Sequence, residues 1–166
     1  MKIAIVSDTH GNVKNFKKAI DWIKSQNINT ILHCGDIGSL ESLRESLVNF
    51  NGKLFGVLGN MDKDFRVLVD EYNKITGVKI GLDILEIELD TKKIAITHLP
   101  DTAKELAESG KFQMVFYGHT HKPWEERVEN CRMLNPGELA GQLYKPTFAI
   151  YDTETDSAEL KVLERL

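Results

Sequence analysis

The sequence predicts an α/β sandwich, two packed sheets with helices outside, and three observations carry that expectation. Short apolar runs alternate with helical stripes through the first half, which is the βαβ signature of a largely parallel sheet. The second half changes to closely spaced β-type runs that read as antiparallel strands. Five of the apolar runs also end in polar residues able to bind a metal, and the strand ends of an α/β sheet are where ligands bind.

The elements follow in order. Lys2–Val6 reads as a strand running into Asp8 and His10. After the Asp8–Asn12 loop, Val13, Phe16, Ile20 and Ile23 recur at helical spacing, with Lys14, Lys17, Lys18 and Lys24 outside that stripe. Thr30–Cys34 is a second strand, ending at Asp36. Ser39 suits an N-cap, followed by Ser42 and then by Leu43, Leu47 and Phe50. Leu54–Leu58 leads to Asn60, and a third helix is expected from Lys63 to Asn73 with Phe65, Leu68, Val69 and Tyr72 on one side. Ile84–Leu89 and Lys93–Thr97 pair around Asp90–Lys92, and the run Ile94–Thr97 delivers His98. Ala103–Gly110 reads as a short helix, and Met114–Tyr117 leads to His119 and His121. Pro123–Glu129, Cys131–Leu134, Thr147–Asp152 and Ser157–Leu163 read as strands. The last two form a hairpin on Thr153–Asp156, with alternation at Ala158, Leu160, Val162 and Glu164.

Bulk properties set the frame. A chain of 166 residues fits one domain, 1–166, large enough to bury a core without staples. A net charge of -4 argues against a dedicated nucleic-acid binder, so nucleic acid is not indicated as a partner. Cys34 and Cys131 stand far apart without a CxxC pair, which fits a reduced, cytoplasmic protein. No apolar stretch approaches the ~20 residues that cross a bilayer, and no membrane partner is expected. The immediate entry into a strand leaves no room for a signal peptide. Homo-oligomerisation is left open.

Asp8-Thr9-His10 offers a carboxylate and an imidazole two residues apart. In extended backbone such a pair points to one face and can reach one ion. His119-Thr120-His121 repeats that geometry with two imidazoles. Gly35-Asp36 places a carboxylate past a tight turn, where its two oxygens can bridge two ions. Gly59-Asn60 adds a neutral amide oxygen, and His98 completes the set. The glycines at 11, 35, 59 and 118 allow positive φ or a close backbone approach. Taken singly, a strand-end Asp is ordinarily a cap or turn former, and an apolar-flanked His is ordinarily hydrogen-bonded structure. Taken together, four of the five histidines gather at strand ends, and that favours metal binding.

These residues resemble the calcineurin-like metallophosphoesterase superfamily, whose pattern is D-x-H, G-D, G-N-[HCFM]-[DE], H and G-H-x-H. It stands here as Asp8-Thr9-His10, Gly35-Asp36, Gly59-Asn60-Met61-Asp62, His98 and Gly118-His119-Thr120-His121, in order over nearly the whole chain. The short length and the Asn135-Pro136-Gly137 turn look closest to the small bacterial and archaeal phosphodiesterases of that superfamily. The resemblance implies a four-layer αββα sandwich with two metals between the strand ends. It implies Asp8, His10, Asp36 and His121 around the first ion, and Asp36, Asn60, His98 and His119 around the second, with Asp36 bridging. Two positions depart from the pattern. Met61 stands where the family often has a histidine able to act as general acid, and His98 is followed by Leu99-Pro100 rather than glycine and a polar residue.

Mixed oxygen and imidazole donors without cysteine suit Mn²⁺, Fe²⁺, Ni²⁺ or Zn²⁺, with manganese foremost. Two such ions can share a bridging hydroxide and clamp a phosphoryl group for in-line attack. Two divalent cations against Asp8, Asp36 and a hydroxide leave one net positive charge, which balances a phosphodiester monoanion. The expected function is a metal-dependent phosphodiesterase acting on small esters or nucleotides. Asp36, Asn60 and Asp62 are the expected catalytic residues, Asp62 by orienting a ligand or a water, and Met61 is expected to face the substrate. His33 and Tyr117 are expected in the core, and Trp22 and Trp124 as packing residues. Lys63, Arg66 and Lys122 lie near the motifs, with solvated charge as their default. The alternative is a scaffold that keeps the fold without catalysis, as in the retromer subunit similar to this family, and Met61 is the feature that favours it. A nuclease would need a basic groove, which the sequence does not advertise.

Overall fold

The computed structural model describes residues 1–62 and 65–166, the side chains of 65–68 excepted. Its first half runs β1 (Lys2–Val6), α1 (Val13–Ser25), β2 (Thr30–His33), α2 (Leu40–Leu47), β3 (Lys53–Val57), α3 (Phe65–Asn73) and β4 (Val78–Gly81). Then come β5 (Ile84–Leu89), β6 (Lys92–Thr97), α4 (Pro100–Glu108), β7 (Met114–Phe116), β8 (Trp124–Val128), β9 (Cys131–Asn135), β10 (Thr147–Asp152) and β11 (Ser157–Val162). A single 3₁₀ turn at Leu163–Arg165 follows the last strand.

Two mixed sheets form, ordered β11-β10-β1-β2-β3-β4 and β5-β6-β7-β9-β8. Strand periodicity sorts the side chains into three cores. Ile3 and Ile5 of β1 face the second sheet and meet Ile94, Ile96, Met114 and Phe116. Ala4 and Val6 of the same strand face the other way, onto Phe16, Ile20 and Ile23 of α1 and Leu43 of α2. Ala95, Val115 and Met133 on the far side of the second sheet pack against Ala103 and Ala107 of α4. The result is an αββα arrangement of four layers. Central strands read as unbroken apolar runs because both of their faces are covered.

Local chemistry fixes the helix ends. The Asn12 side chain accepts from Asn15 N at 3.1 Å and caps α1. Ser39 and Ser42 cap α2 reciprocally. Pro100 sits in the first turn of α4, where its missing N–H costs nothing, so that helix begins earlier than the apolar spacing from Ala103 suggests.

The structure departs from the sequence reading in several places. The sheets do not divide the chain into a parallel and an antiparallel half. β10 returns to pair antiparallel with β1, while β6, β7 and β9 pair in parallel. β4 has no strong sequence signal, with four residues, one buried side chain (Ile80), a glycine before it and a glycine as its last residue. The last predicted strand stops at Val162, since Leu163 opens the 3₁₀ turn. Of the expected third-helix stripe, Val69 and Tyr72 pack on the core, whereas Lys63 and the side chains of Phe65 and Leu68 lie outside the described residues. Among the described residues no helix is long and apolar enough to cross a membrane.

An ionic clasp ties the two sheets together away from the helices. Asp156, in the β10–β11 turn, receives Arg127 Nη2 of β8 at 2.6 Å and the Tyr151 hydroxyl at 2.9 Å. Arg132 of β9 donates to its main-chain oxygen at 2.6 Å. Burial alone pushes the Asp156 carboxyl up, but Arg127, Tyr151 and Arg132 outweigh that and hold it below the usual carboxylate range. A depressed carboxylate stabilises the fold above its unfolded pKa and stops doing so as pH falls through the folded value. We expect Asp156→Asn to cost about 0.5–1 kcal/mol at neutral pH, the scale of solvent-accessible ion pairs. Its gap to wild type should close as the pH drops from about 5 to about 2. Thermal melts across that range check it, and a gap that stays constant would remove the charge from the explanation.

Candidate metal centre

The candidate ligands stand on loops that leave the C-terminal ends of the strands, and the backbone there is curled rather than extended. Asp8, His10, Asp36, His119 and His121 have φ of 51, 44, 53, 70 and 60°. Left-handed backbone is uncommon outside glycine, and each such residue costs of order ~1–2 kcal/mol. The expectation that i and i+2 converge through an extended segment is therefore corrected: they converge because the loops coil. Neighbouring loops hold them so. Asp8 N donates to Gly35 O at 3.0 Å, His10 N to Asp36 O at 2.9 Å, and Ala140 N to Asp8 O at 3.0 Å. The glycine-bearing turns press directly on the carboxylates. A Cβ at Gly59 would sit 2.1 Å from Asp36 Oδ1, and one at Gly118 would sit 2.0 Å from Ser7 Oγ and 2.7 Å from Asp8 Oδ2.

Two groups of donor atoms result. Asp8, His10, Asp36 and His121 each offer a ligand atom, all within 4.8 Å of one another. In this first group His121 Nε2 lies 3.3 Å from Asp8 Oδ1 and 3.3 Å from His10 Nε2. In the second, Asn60 Oδ1 lies 2.9 Å from His98 Nε2 and 2.8 Å from His119 Nδ1. Asp36 Oδ2 stands between the groups, 3.7 Å from His10 Nε2 and 3.5 Å from His98 Nε2. Its Oδ1 is turned away and accepts from Met61 N at 2.8 Å. All seven sequence-predicted ligands are thus brought to one place.

The donor set fits cations. Asp8 Oδ1 is buried without a hydrogen-bond partner, which is costly for a carboxylate unless a positive charge answers it. Burial raises the Asp8 carboxyl above its usual range despite the Ser7 hydroxyl, His98 and His121 beside it. Burial pushes Asp36 the same way, but His98, the Met61 N–H and His10 win and hold it low. The His98 Nδ1–H donates to the Cys34 carbonyl at 2.8 Å, which leaves the Nε2 lone pair directed at the centre.

Other residues named from the sequence fall into distinct places. Asp62 is buried and faces protein, not the opening. Its oxygens accept from Gly59 N at 2.8 Å, Gly38 N at 2.8 Å and Ile37 N at 3.1 Å, so it fastens the Asp36 loop to the Asn60 loop. Desolvation outweighs those N–H groups and lifts its carboxyl above the usual value. Met61 is 54% exposed and Leu99 44%, forming apolar rim next to Asn60 and His98. His33 is core: its Nδ1 accepts from Gly35 N, its Nε2–H reaches Thr9 Oγ1 at 3.0 Å, and burial lowers it to about 3. Trp22 packs edge-on against Phe148, and Tyr117 is buried. Trp124 is not a packing residue, since it is 53% exposed on an edge strand. Lys122 is exposed, and Lys63 and the Arg66 side chain lie outside the described residues.

Two supporting residues escape the motif reading. The Asn135 side-chain amide donates to Gly118 O at 2.8 Å and Thr120 Oγ1 at 3.0 Å, holding the loop that carries both last histidines. Glu138 is buried with Oε2 3.3 Å from His121 Nδ1. The only sequence signal for either was the Asn135-Pro136-Gly137 turn, one residue short of Glu138.

Comparison with known proteins identifies the family. The family model for the calcineurin-like phosphoesterase superfamily domain matches residues 1–156. A phosphodiesterase of Methanocaldococcus jannaschii is 38% identical over 167 residues, covering 99% of this chain and 100% of that protein. A probable metallophosphoesterase of the same organism is 31% identical over 142 residues, covering 82% of this chain and 67% of that protein. The solved structure of a novel archaeal phosphodiesterase superposes with a TM-score of 0.85 at 35% identity, covering 98% of this chain and 99% of that one. The matching fold, motifs and full-length relatives show that this chain is a hydrolase belonging to the calcineurin-like phosphoesterase superfamily.

Proposed function

We propose that this protein is a dinuclear metal-dependent phosphodiesterase for small esters or nucleotides. One observation supports this most: a single oxygen, Asp36 Oδ2, faces both donor groups, at 3.7 Å from His10 Nε2 and 3.5 Å from His98 Nε2. Asp8, His10, Asp36 and His121 would hold one divalent ion, and Asp36, Asn60, His98 and His119 the other. Manganese is the first choice, with nickel, iron and zinc compatible with the same donors. Bound there, two ions would supply Lewis acidity toward a phosphoryl oxygen and a hydroxide at neutral pH.

The chain's own residues do the rest. Asp36 carries the charge common to both groups, and Met61 N fixes its orientation. Asn60 contributes a neutral oxygen, which keeps the positive balance that attracts a monoanionic diester. Asp62 keeps both loops in register and leaves proton transfer to other groups. Met61 and Leu99, exposed at the rim, cover the organic part of the ester and exclude water from it.

Metal loading followed by elemental analysis and calorimetric titration should give two divalent ions per chain, and a chelator should abolish phosphoesterase activity. Saturation at one ion or none would sink the dinuclear reading. Among variants, Asp36→Asn should be the most damaging and resist rescue by excess metal, because it weakens both groups. Asn60→Ala and His119→Ala should each recover part of their activity at high metal concentration. Equal rescue of all three would remove Asp36 from the bridging position.

A thioether donates no proton, so Met61 cannot assist departure of a basic alkoxide. Diesters with nitrophenol leaving groups should react far faster than alkyl diesters, on the ~10²–10⁴-fold scale of general acid catalysis. Met61→His should narrow that gap by raising the slow rates. Identical slopes of rate against leaving-group pKa in both proteins would show that the proton comes from elsewhere. Absence of turnover across the whole series, in protein carrying two ions, would favour the scaffold reading instead.

A further inference from the structure

Glu138 follows directly on the Asn135-Pro136-Gly137 turn and is wholly buried. A glutamate is almost never placed so deep unless its charge is answered. Part of the answer is backbone. Gln142 N donates to Oε2 at 2.7 Å, Leu143 N donates to Oε1 at 2.6 Å, and Tyr144 N donates to the same Oε1. The remaining capacity of Oε2 is directed at His121 Nδ1, 3.3 Å away. That nitrogen is buried and has no hydrogen-bond partner among the described residues, and a small turn of the ring would complete a bond to Glu138. The opposite nitrogen, Nε2, is the one aimed at Asp8 and His10.

We propose that Glu138 is the positioning residue of the first donor group: it selects the Nδ1–H tautomer of His121 and locks that ring to the loop formed by residues 142–144. An ionised carboxylate only accepts hydrogen bonds. A neutral imidazole beside Oε2 therefore carries its single proton on Nδ1, and Nε2 presents a lone pair to the centre. Carboxylate partners of this kind also raise the basicity of the ligating nitrogen. Because the same group binds three consecutive N–H donors, the 142–144 loop and the orientation of His121 become one unit. Leu143 and Tyr144, both exposed at its tip, ride on that unit. The inference about metal affinity rests on the reading that the first donor group holds an ion; the tautomer assignment does not.

An amide separates the tautomer role from mere space filling. Glutamine offers one acceptor and two donors. Leu143 and Tyr144 both need the oxygen at the Oε1 position against Gln142 alone at Oε2, so the NH₂ falls opposite Nδ1 and the Gln142 bond is given up. Glu138→Gln should therefore move the ring proton to Nε2, the nitrogen meant for the ion. Long-range proton–nitrogen spectra of histidine-labelled, metal-free protein, taken where the rings are neutral, read this directly. His121 should be the Nδ1–H tautomer in wild type and Nε2–H in the variant. Calorimetric titration with Mn²⁺ should show one site weakened ~10–100-fold, the scale for such supporting partners, and the other at its wild-type affinity. Amide exchange at residues 142–144 should accelerate in the same variant.

An Nε2–H tautomer in wild type overturns the proposal whether or not the variant folds. Unchanged tautomer and unchanged affinities in a folded Glu138→Gln protein also overturn it. An Nδ1–H tautomer in wild-type protein that takes up no Mn²⁺ would instead overturn the metal reading and leave the tautomer assignment standing.

Discussion

Two carboxylates, Asp8 and Asp36, are buried beside each other at the strand ends, and most of the surrounding structure answers their charge. Taking an anion out of water costs several kcal/mol even after the protein relaxes. The imidazoles of His10, His98 and His121 converge on the pair, backbone N–H groups of Met61 and His119 bind one oxygen of each, and Asp8 Oδ1 is still left without a hydrogen-bond partner. Protein donors alone do not complete this arrangement. The cations proposed above would answer the charge that remains.

Holding the groups in that state demands stiffness, and the fold supplies it at two levels. Strands buried on both faces give fixed ends from which short loops leave. The loops are then tied to one another rather than to solvent. Asp62 spans Ile37, Gly38 and Gly59, Asn135 spans Gly118 and Thr120, and Thr9 bonds both His33 and the Ile37 carbonyl. Left-handed ligand residues are stable here because their neighbours leave them little else. The loop-to-loop hydrogen bonds that impose this strain also keep the donor atoms in place.

Much of this was legible in the sequence because it depends on residue type at fixed places. The strand ends, the seven candidate ligands and the cap at Ser39 all declare themselves through polarity against an apolar background. What was hidden depends on partners distant in the chain. β4 could not be read, since Val78–Gly81 is a strand only by virtue of pairing with β3. Glu138 looks like any surface glutamate until the fold buries it under residues 142–144 and beside His121. Asp62, adjacent to a ligand motif, reads as chemistry from the sequence and as a fastener in three dimensions. Trp124, expected as a packing residue, lands half exposed on an edge strand instead. The coiled backbone at Asp8 and His121 was invisible for the same reason, because side-chain spacing says where donors are and not how the chain bends to aim them.

The crossing from β4 to β5 takes the chain out of one sheet and into the other through residues 82–83. Asp8, His10, Asp36 and Asn60 lie before that crossing, and His98, His119 and His121 after it. Each donor group therefore draws from both sheets, so an ion seated in either would span the sandwich seam like a rivet. Shear of one sheet on the other would pull the donors apart before it opened the apolar core. With the proposed ions in place, the seam's mechanical integrity and the centre's chemical competence are one property, and a substitution between the sheets at Ile5, Phe116 or Tyr151 that lets them slide would register first as weakened metal binding.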